Sequence, residues 1–215
     1  MPKQKLEQGF EVTFETESSL IEGMIKQNEA AYREAVRRYQ SSMLYLARSI
    51  VGDKIADEVA QEAWFSVLKA LPKFQNRSTL KTWILTIVAN EAKSRLKKEK
   101  RSSSLEALTE NDPEFLSRFD SSEHWSSFPV EWEAASPDAL LSSDQFENCL
   151  NVSIEALPSL QGATLNLKER QGYSLKDICN ILDVSESNVR VLLHRARNKL
   201  FQVIEHFQIT GECCS

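Results

Sequence analysis

Near the end of the chain, Ser187, Asn188 and Arg190 lie together in one short polar stretch. Their side chains have the chemistry to read the edges of nucleic-acid bases. An amide matches adenine with two hydrogen bonds, a guanidinium matches guanine, and a serine hydroxyl serves either. His194 follows, then Arg195, Arg197 and Lys199, which are better suited to phosphates. A second collection begins at Phe74. The polar loop 75–79 comes next, then Lys81, Thr82, Asn90, Lys93 and Ser94. It runs out in "KSRLKKEKR", where Glu99 is the single acid among Lys93, Arg95, Lys97, Lys98, Lys100 and Arg101. Aromatic, amide and basic groups together suit unstacked single-stranded bases. A basic run at a helix C-terminus also complements the helix dipole, so by itself this cluster says less.

The same inspection points away from catalysis. His124, His194 and His206 are scattered without metal-ligand spacing. There is no glycine-rich phosphate loop and no nucleophile elbow. No pair of carboxylates stands out for acid–base work. The reading is therefore no catalytic residue, no metal and no cofactor. Cys149, Cys179, Cys213 and Cys214 show no CxxC spacing and no disulfide framework. Cys179 falls on an apolar helix face as an inert thiol, and Cys213–Cys214 read as an exposed tail with two reduced thiols. No apolar run reaches the roughly eighteen residues of a membrane helix. "MPKQKLEQGFEVTFETESSL" also lacks a signal-peptide core. The expectation is a cytoplasmic protein without membrane insertion.

The base-reading residues need a scaffold, and "SLKDICNILDVSESNVRVLLHRARNKL" supplies one. Leu175, Ile178, Cys179 and Leu182, then Val189, Leu192, Leu193, Ala196 and Leu200, follow the rhythm of two helices with buried faces. Ser174 and Ser185 stand where N-caps belong, and Asp183 tolerates the left-handed backbone of a tight joint. In such a helix-turn-helix, the second helix enters the major groove. An amphipathic hairpin with a solvated basic face is the competing reading. Upstream, Tyr32, Ala35, Val36, Tyr39, Met43, Leu46, Ala47 and Ile50 form one stripe closed by Gly52. Val59, Ala60, Ala63, Val67, Leu68 and Leu71 form a second, which stops before Pro72. Leu80, Trp83, Ile84, Ile87 and Val88 form a third, beginning near Ser78 or Thr79. These patterns predict an all-α protein of two small helical domains.

Charge separates the parts. The chain carries a formal net charge of -5. Between Ser102 and Asp144 there are ten acids against one base, Arg118. Without that stretch the remaining chain is mildly basic, so the overall acidity does not oppose nucleic-acid binding. The stretch has linker composition, yet it holds Phe115, Phe119, Trp125, Phe128 and Trp132. We expect a functional insert that screens the two basic clusters. The expected division is an extension at 1–19, a helical domain at 20–101, the acidic linker at 102–144, a helix-turn-helix domain at 145–207 and a tail at 208–215. Phe10, Val12 and Phe14 alternate with polar residues in the extension, which suits a short ordered arm.

Two motifs in order carry a resemblance. "YREAVRRYQSSMLYLARSIVGDKIADEVAQEAWFSVLKALPKFQNRSTLKTWILTIVANEAKSRLKKEKR" resembles the second domain of bacterial extracytoplasmic-function sigma factors of the sigma-70 family. "ALPSLQGATLNLKERQGYSLKDICNILDVSESNVRVLLHRARNKL" is similar to their fourth domain. The resemblance implies a subunit that directs core RNA polymerase to promoter DNA, with an anti-sigma factor as a further partner. It implies that Asp57, Glu58, Gln61 and Glu62 face polymerase. It assigns the melted -10 element to Phe74, Asn76, Arg77, Ser78, Thr79, Lys81, Thr82, Asn90, Lys93 and Lys97. It assigns the duplex -35 element to Ser187, Asn188, Arg190, His194, Arg195 and Arg197. Ser94 stands where many members carry Asp, and Gln161 and Gly162 replace charged residues usual after the Leu157–Pro158 turn. Two alternatives remain: a helix-turn-helix regulator that acts without core polymerase, and a helical adaptor that does not bind DNA.

Overall fold

The computed structural model describes residues 14–100 and 144–213. Among the described residues the regular structure is helical: α1 Glu17–Ile25, α2 Glu29–Val51, α3 Asp53–Ala70, α4 Leu80–Lys100, α5 Asp144–Glu155, α6 Ser159–Leu165, α7 Leu175–Leu182 and α8 Glu186–Thr210. A 3-10 turn, Leu71–Lys73, holds Pro72 just beyond α3, and a π-helical turn, Asn166–Arg170, extends α6. The acidic linker lies outside the described residues except for Asp144, which begins α5; Phe10, Val12 and Cys214 lie outside them as well.

Local chemistry explains the boundaries. Thr16 and Ser19 form a reciprocal capping box at the start of α1. Asn28 caps α2, and Gly52, at φ 78°, closes it. Ser174 and Ser185 accept hydrogen bonds from the Asp177 and Asn188 backbone N–H groups, as their positions predict. Asp183 adopts φ 54°, ψ 54° at the joint between α7 and α8. A left-handed backbone costs an L-residue about 1–2 kcal/mol, less for Asp or Asn, and costs achiral Gly almost nothing. Asp183→Val should therefore destabilise the chain by about that much, while Asp183→Gly should not. The urea midpoints of the two variants check this.

Helices α2, α3 and α4 bury Met43, Leu46, Ala47, Val59, Ala63, Val67, Leu80, Ile84, Leu85 and Val88 in one core. Val36 and Leu68 depart from the sequence reading, being exposed at the rim of their stripes. Trp83 and Ile87 are only partly buried against the core. The arm is ordered at Phe14, whose ring lies against Gly23; a Cβ there would come within 2.7 Å of it.

The C-terminal helices join that core. Ala163, Leu167, Ile178, Ile181, Leu182, Val189 and Leu193 belong to the same buried cluster as α1–α4. Helix α7 packs on α4, and α6 packs on α2. This explains Ile181, which the single-stripe reading omits: α7 is covered from a second side. A Cβ at buried Gly162 would stand 3.4 Å from the Ser49 carbonyl oxygen.

One expectation is corrected. Cys213 is not a reduced tail thiol: it forms a disulfide with Cys149 across 64 residues of sequence. Gly211, at φ 71°, ends α8 in a left-handed turn that precedes Cys213. Spacing in the sequence cannot reveal a pairing made by packing α5 on α8. Cys179 is half-buried and free.

Candidate nucleic-acid and polymerase interfaces

Helix α8 begins beyond its Ser185 cap and turns Val189, Leu192, Leu193 and Ala196 inward. Ser187, Asn188 and Arg190 are left exposed on its first turns. The Arg190 guanidinium is held by Glu186 at 2.7 Å, and Arg197 by Glu169 at 2.7 Å. Ion pairs this exposed are worth little, so phosphate or a base edge can displace the carboxylate. His194, Arg195 and Arg197 are half-buried.

The loop before α4 forms a second polar surface. The Phe74 and Trp83 rings pack with centroids 4.8 Å apart, which anchors the loop at one end. Asn76 takes a positive φ of 52°. The Thr79 hydroxyl oxygen accepts from the Thr82 N–H at 3.2 Å, and Glu17 accepts from the Leu80 N–H at 2.9 Å. Asn76, Arg77, Ser78, Thr79, Asn90 and Lys97 are exposed.

Three of the expected residues instead face the C-terminal half. The Lys81 ammonium sits 5.5 Å from the centre of the Tyr173 ring. Lys93 Nζ donates to the Leu182 carbonyl at 3.1 Å, at the end of α7. Thr82 is only 4% exposed. Burial pushes the Tyr173 phenol up to about 12, its oxygen lying near the Thr82 side chain without a well-formed hydrogen bond. Arg170 adds a contact at the same junction, 4.1 Å from the centre of the Tyr45 ring.

Asp57, Glu58, Gln61 and Glu62 are all exposed along one side of α3. Arg95 reaches across from α4 to Glu58 at 3.0 Å and to Glu62 at 4.0 Å. The same side continues through Phe65, 75% exposed, and Leu68, 39% exposed.

Residues 35–102 match the family described as Sigma-70 region 2, and residues 147–200 match Sigma-70, region 4. Together these spans cover more than half of the chain. The chain is 28% identical over 195 residues to the RNA polymerase sigma-H factor of Pseudomonas aeruginosa, covering 90% of this chain and 96% of that protein. It is 28% identical over 188 residues to the ECF RNA polymerase sigma-E factor of Escherichia coli K12, covering 86% and 92%. The chain belongs to the extracytoplasmic-function sigma factors of the sigma-70 family. The fold agrees with two solved structures. One is the sigma factor RpoE in complex with the anti-sigma factor NepR from Bartonella quintana, with a TM-score of 0.53 and 18% identity, covering 81% of this chain and 96% of that one. The other is CnrH in complex with the cytosolic domain of CnrY, with a TM-score of 0.52 and 16% identity, covering 87% and 96%.

This sigma factor directs promoter-specific transcription initiation. Its region 2 match contains α3, the loop 74–79 and α4; its region 4 match ends at Leu200, within α8. The sequence reading did not single out Phe65, which the structure leaves 75% exposed on the side of α3 that carries the expected polymerase-facing residues. The signal was present: it is an aromatic outside the Val59–Val67 stripe, on the side that carries Gln61.

Proposed function

We propose that the two polar surfaces divide promoter recognition. Region 2, within residues 20–101, captures the unpaired -10 strand with Phe74, Asn76, Arg77, Ser78, Thr79, Lys81, Thr82, Asn90, Lys93 and Lys97. Region 4, within residues 145–207, reads the -35 duplex with Ser187, Asn188 and Arg190, while His194, Arg195 and Arg197 hold the backbone. The α3 side from Asp57 to Leu68 docks on core RNA polymerase. The protein is an initiation factor acting in the cytoplasm, and it supplies no catalytic group of its own. Because Lys81, Thr82 and Lys93 contact or face region 4, the halves separate before the -10 strand is bound. An anti-sigma factor that favours the packed arrangement would keep the subunit inactive; both solved structures named above are of complexes.

The observation that carries this reading is the first exposed turn of α8, where Ser187, Asn188 and Arg190 stand opposite a buried stripe behind a capped joint. Arg190→Ala should lose about 1–3 kcal/mol at one base position of the -35 element and relax preference there. Arg197→Ala should weaken all sequences alike and flatten the salt dependence. Holoenzyme binding to a randomised -35 library measures both. An unchanged preference profile for Arg190→Ala would remove α8 from the groove. Specific duplex binding without polymerase would instead favour a self-sufficient regulator.

A further inference from the structure

We propose that Cys149 and Cys213 form a reversible thiol–disulfide site that fastens α5 to the end of α8, with hydrogen peroxide as its oxidant. The inference rests on the proposed cytoplasmic site of action. In that reducing compartment a permanent structural disulfide is rare, whereas a transient, redox-responsive one is known chemistry. The two cysteines are joined with Cα atoms 5.5 Å apart, within ordinary disulfide geometry. They differ in access: Cys149 is 1% exposed among Phe146, Val203 and Phe207, while Cys213 is on the surface. An oxidant or a reductant therefore meets Cys213 first, and Cys149 resolves it from beneath.

The steps balance. The Cys213 thiolate attacks one peroxide oxygen, and the O–O bond breaks to give a sulfenic acid and hydroxide. The Cys149 thiol then attacks the sulfenic sulfur. An S–S bond forms, and the sulfenic oxygen leaves as water with the thiol proton. Two thiols lose two electrons, and one peroxide becomes two waters. A protein dithiol reverses this by attacking the sulfur of Cys213, the exposed residue of the pair, releasing Cys149 as thiolate; its second thiol then frees Cys213 and leaves the reductant oxidised.

The consequence lies in how α5 is held. Among the described residues its cluster with α8, which includes the Phe146 and Phe207 rings at 5.1 Å, is small and separate from the main core. A helix at the edge of the fold, packed in a satellite cluster, opens locally more readily than the main core does. The covalent link removes that opening. Since α5 is where the chain enters region 4 after residues 101–143, oxidation fixes that point of entry.

The test uses the full chain, reduced, freed of reductant, treated with hydrogen peroxide, alkylated and mapped by peptide mass. A Cys149–Cys213 linked peptide is expected in the natural chain and in Cys214→Ser, with a thermal midpoint raised on the order of 10 °C above the reduced form. Cys149→Ser and Cys213→Ser should lose both effects, and dithiothreitol should reverse them. Cys213 linked to Cys214 instead, or a thermal shift that persists in Cys149→Ser, overturns the proposal. Co-purification of the reduced chain with core RNA polymerase reports separately on the functional reading. A chain that binds polymerase but never forms the link sinks the redox site alone. A chain that forms the link but never binds polymerase supports the thiol site and sinks the functional reading.

Discussion

Phe65→Ala is expected to weaken binding to core RNA polymerase by one to three orders of magnitude while leaving thermal stability nearly unchanged. Phe65 is 75% exposed, so its ring contributes little to the core of the free chain. An exposed aromatic with a second apolar residue, Leu68, one turn on and a polar rim of Asp57, Gln61 and Glu62 has the make-up of an interface centre. Truncating such an anchor typically costs about 2–4 kcal/mol of binding, and each 1.4 kcal/mol is about tenfold. The double variant Asp57→Ala/Gln61→Ala should weaken assembly less, because rim groups act mainly on association rate. Glu58 and Glu62 are poorer choices for this comparison, since both lie within reach of Arg95 and their loss alters the α3–α4 contact. Holoenzyme assembly measured by fluorescence titration, beside a melting curve, decides it. A fall in melting temperature with assembly intact would return Phe65 to a structural role.

The second large effect is expected at Gly162. Leucine there should separate the two halves and raise binding of the free chain to a -10 single strand by roughly 5- to 150-fold. A Cβ alone would already lie 3.4 Å from the Ser49 carbonyl oxygen. Three further carbons must push α6 away from α2. Overpacking of this kind costs about 1–3 kcal/mol, and the share that falls on Ser49, the nearest neighbour, is borne only by the packed arrangement. The open arrangement exposes Lys81 and Lys93, now held against Tyr173 and the Leu182 carbonyl. The gain should fall with added salt, as phosphate contacts do. Energy transfer between dyes on α3 and α8 would report the separation directly. Halves that part without any gain in strand binding would show that their contact does not cover the -10 surface.

Local chemistry in the sequence determined the helices, their caps and their inward faces. A stripe of apolar residues at helical spacing defines its own buried side, and Ser174, Ser185, Gly52 and Asp183 need only near neighbours to act. The same reasoning placed Ser187, Asn188 and Arg190 on an outward surface, because side chains opposite a buried stripe must face away from it. Tertiary structure decided which outward surfaces meet one another. Periodicity assigns Lys81 and Lys93 to exposed helix positions, but Tyr173 and the end of α7 come to them from some ninety residues downstream. Arg95 reaches two acids on another helix, and Ile181 is covered from a direction no single stripe records. The Cys149–Cys213 pairing depends on α5 lying along the last turns of α8 and on the left-handed Gly211 just before the second cysteine. Each of these rests on packing between segments distant in sequence, which periodicity and capping do not encode.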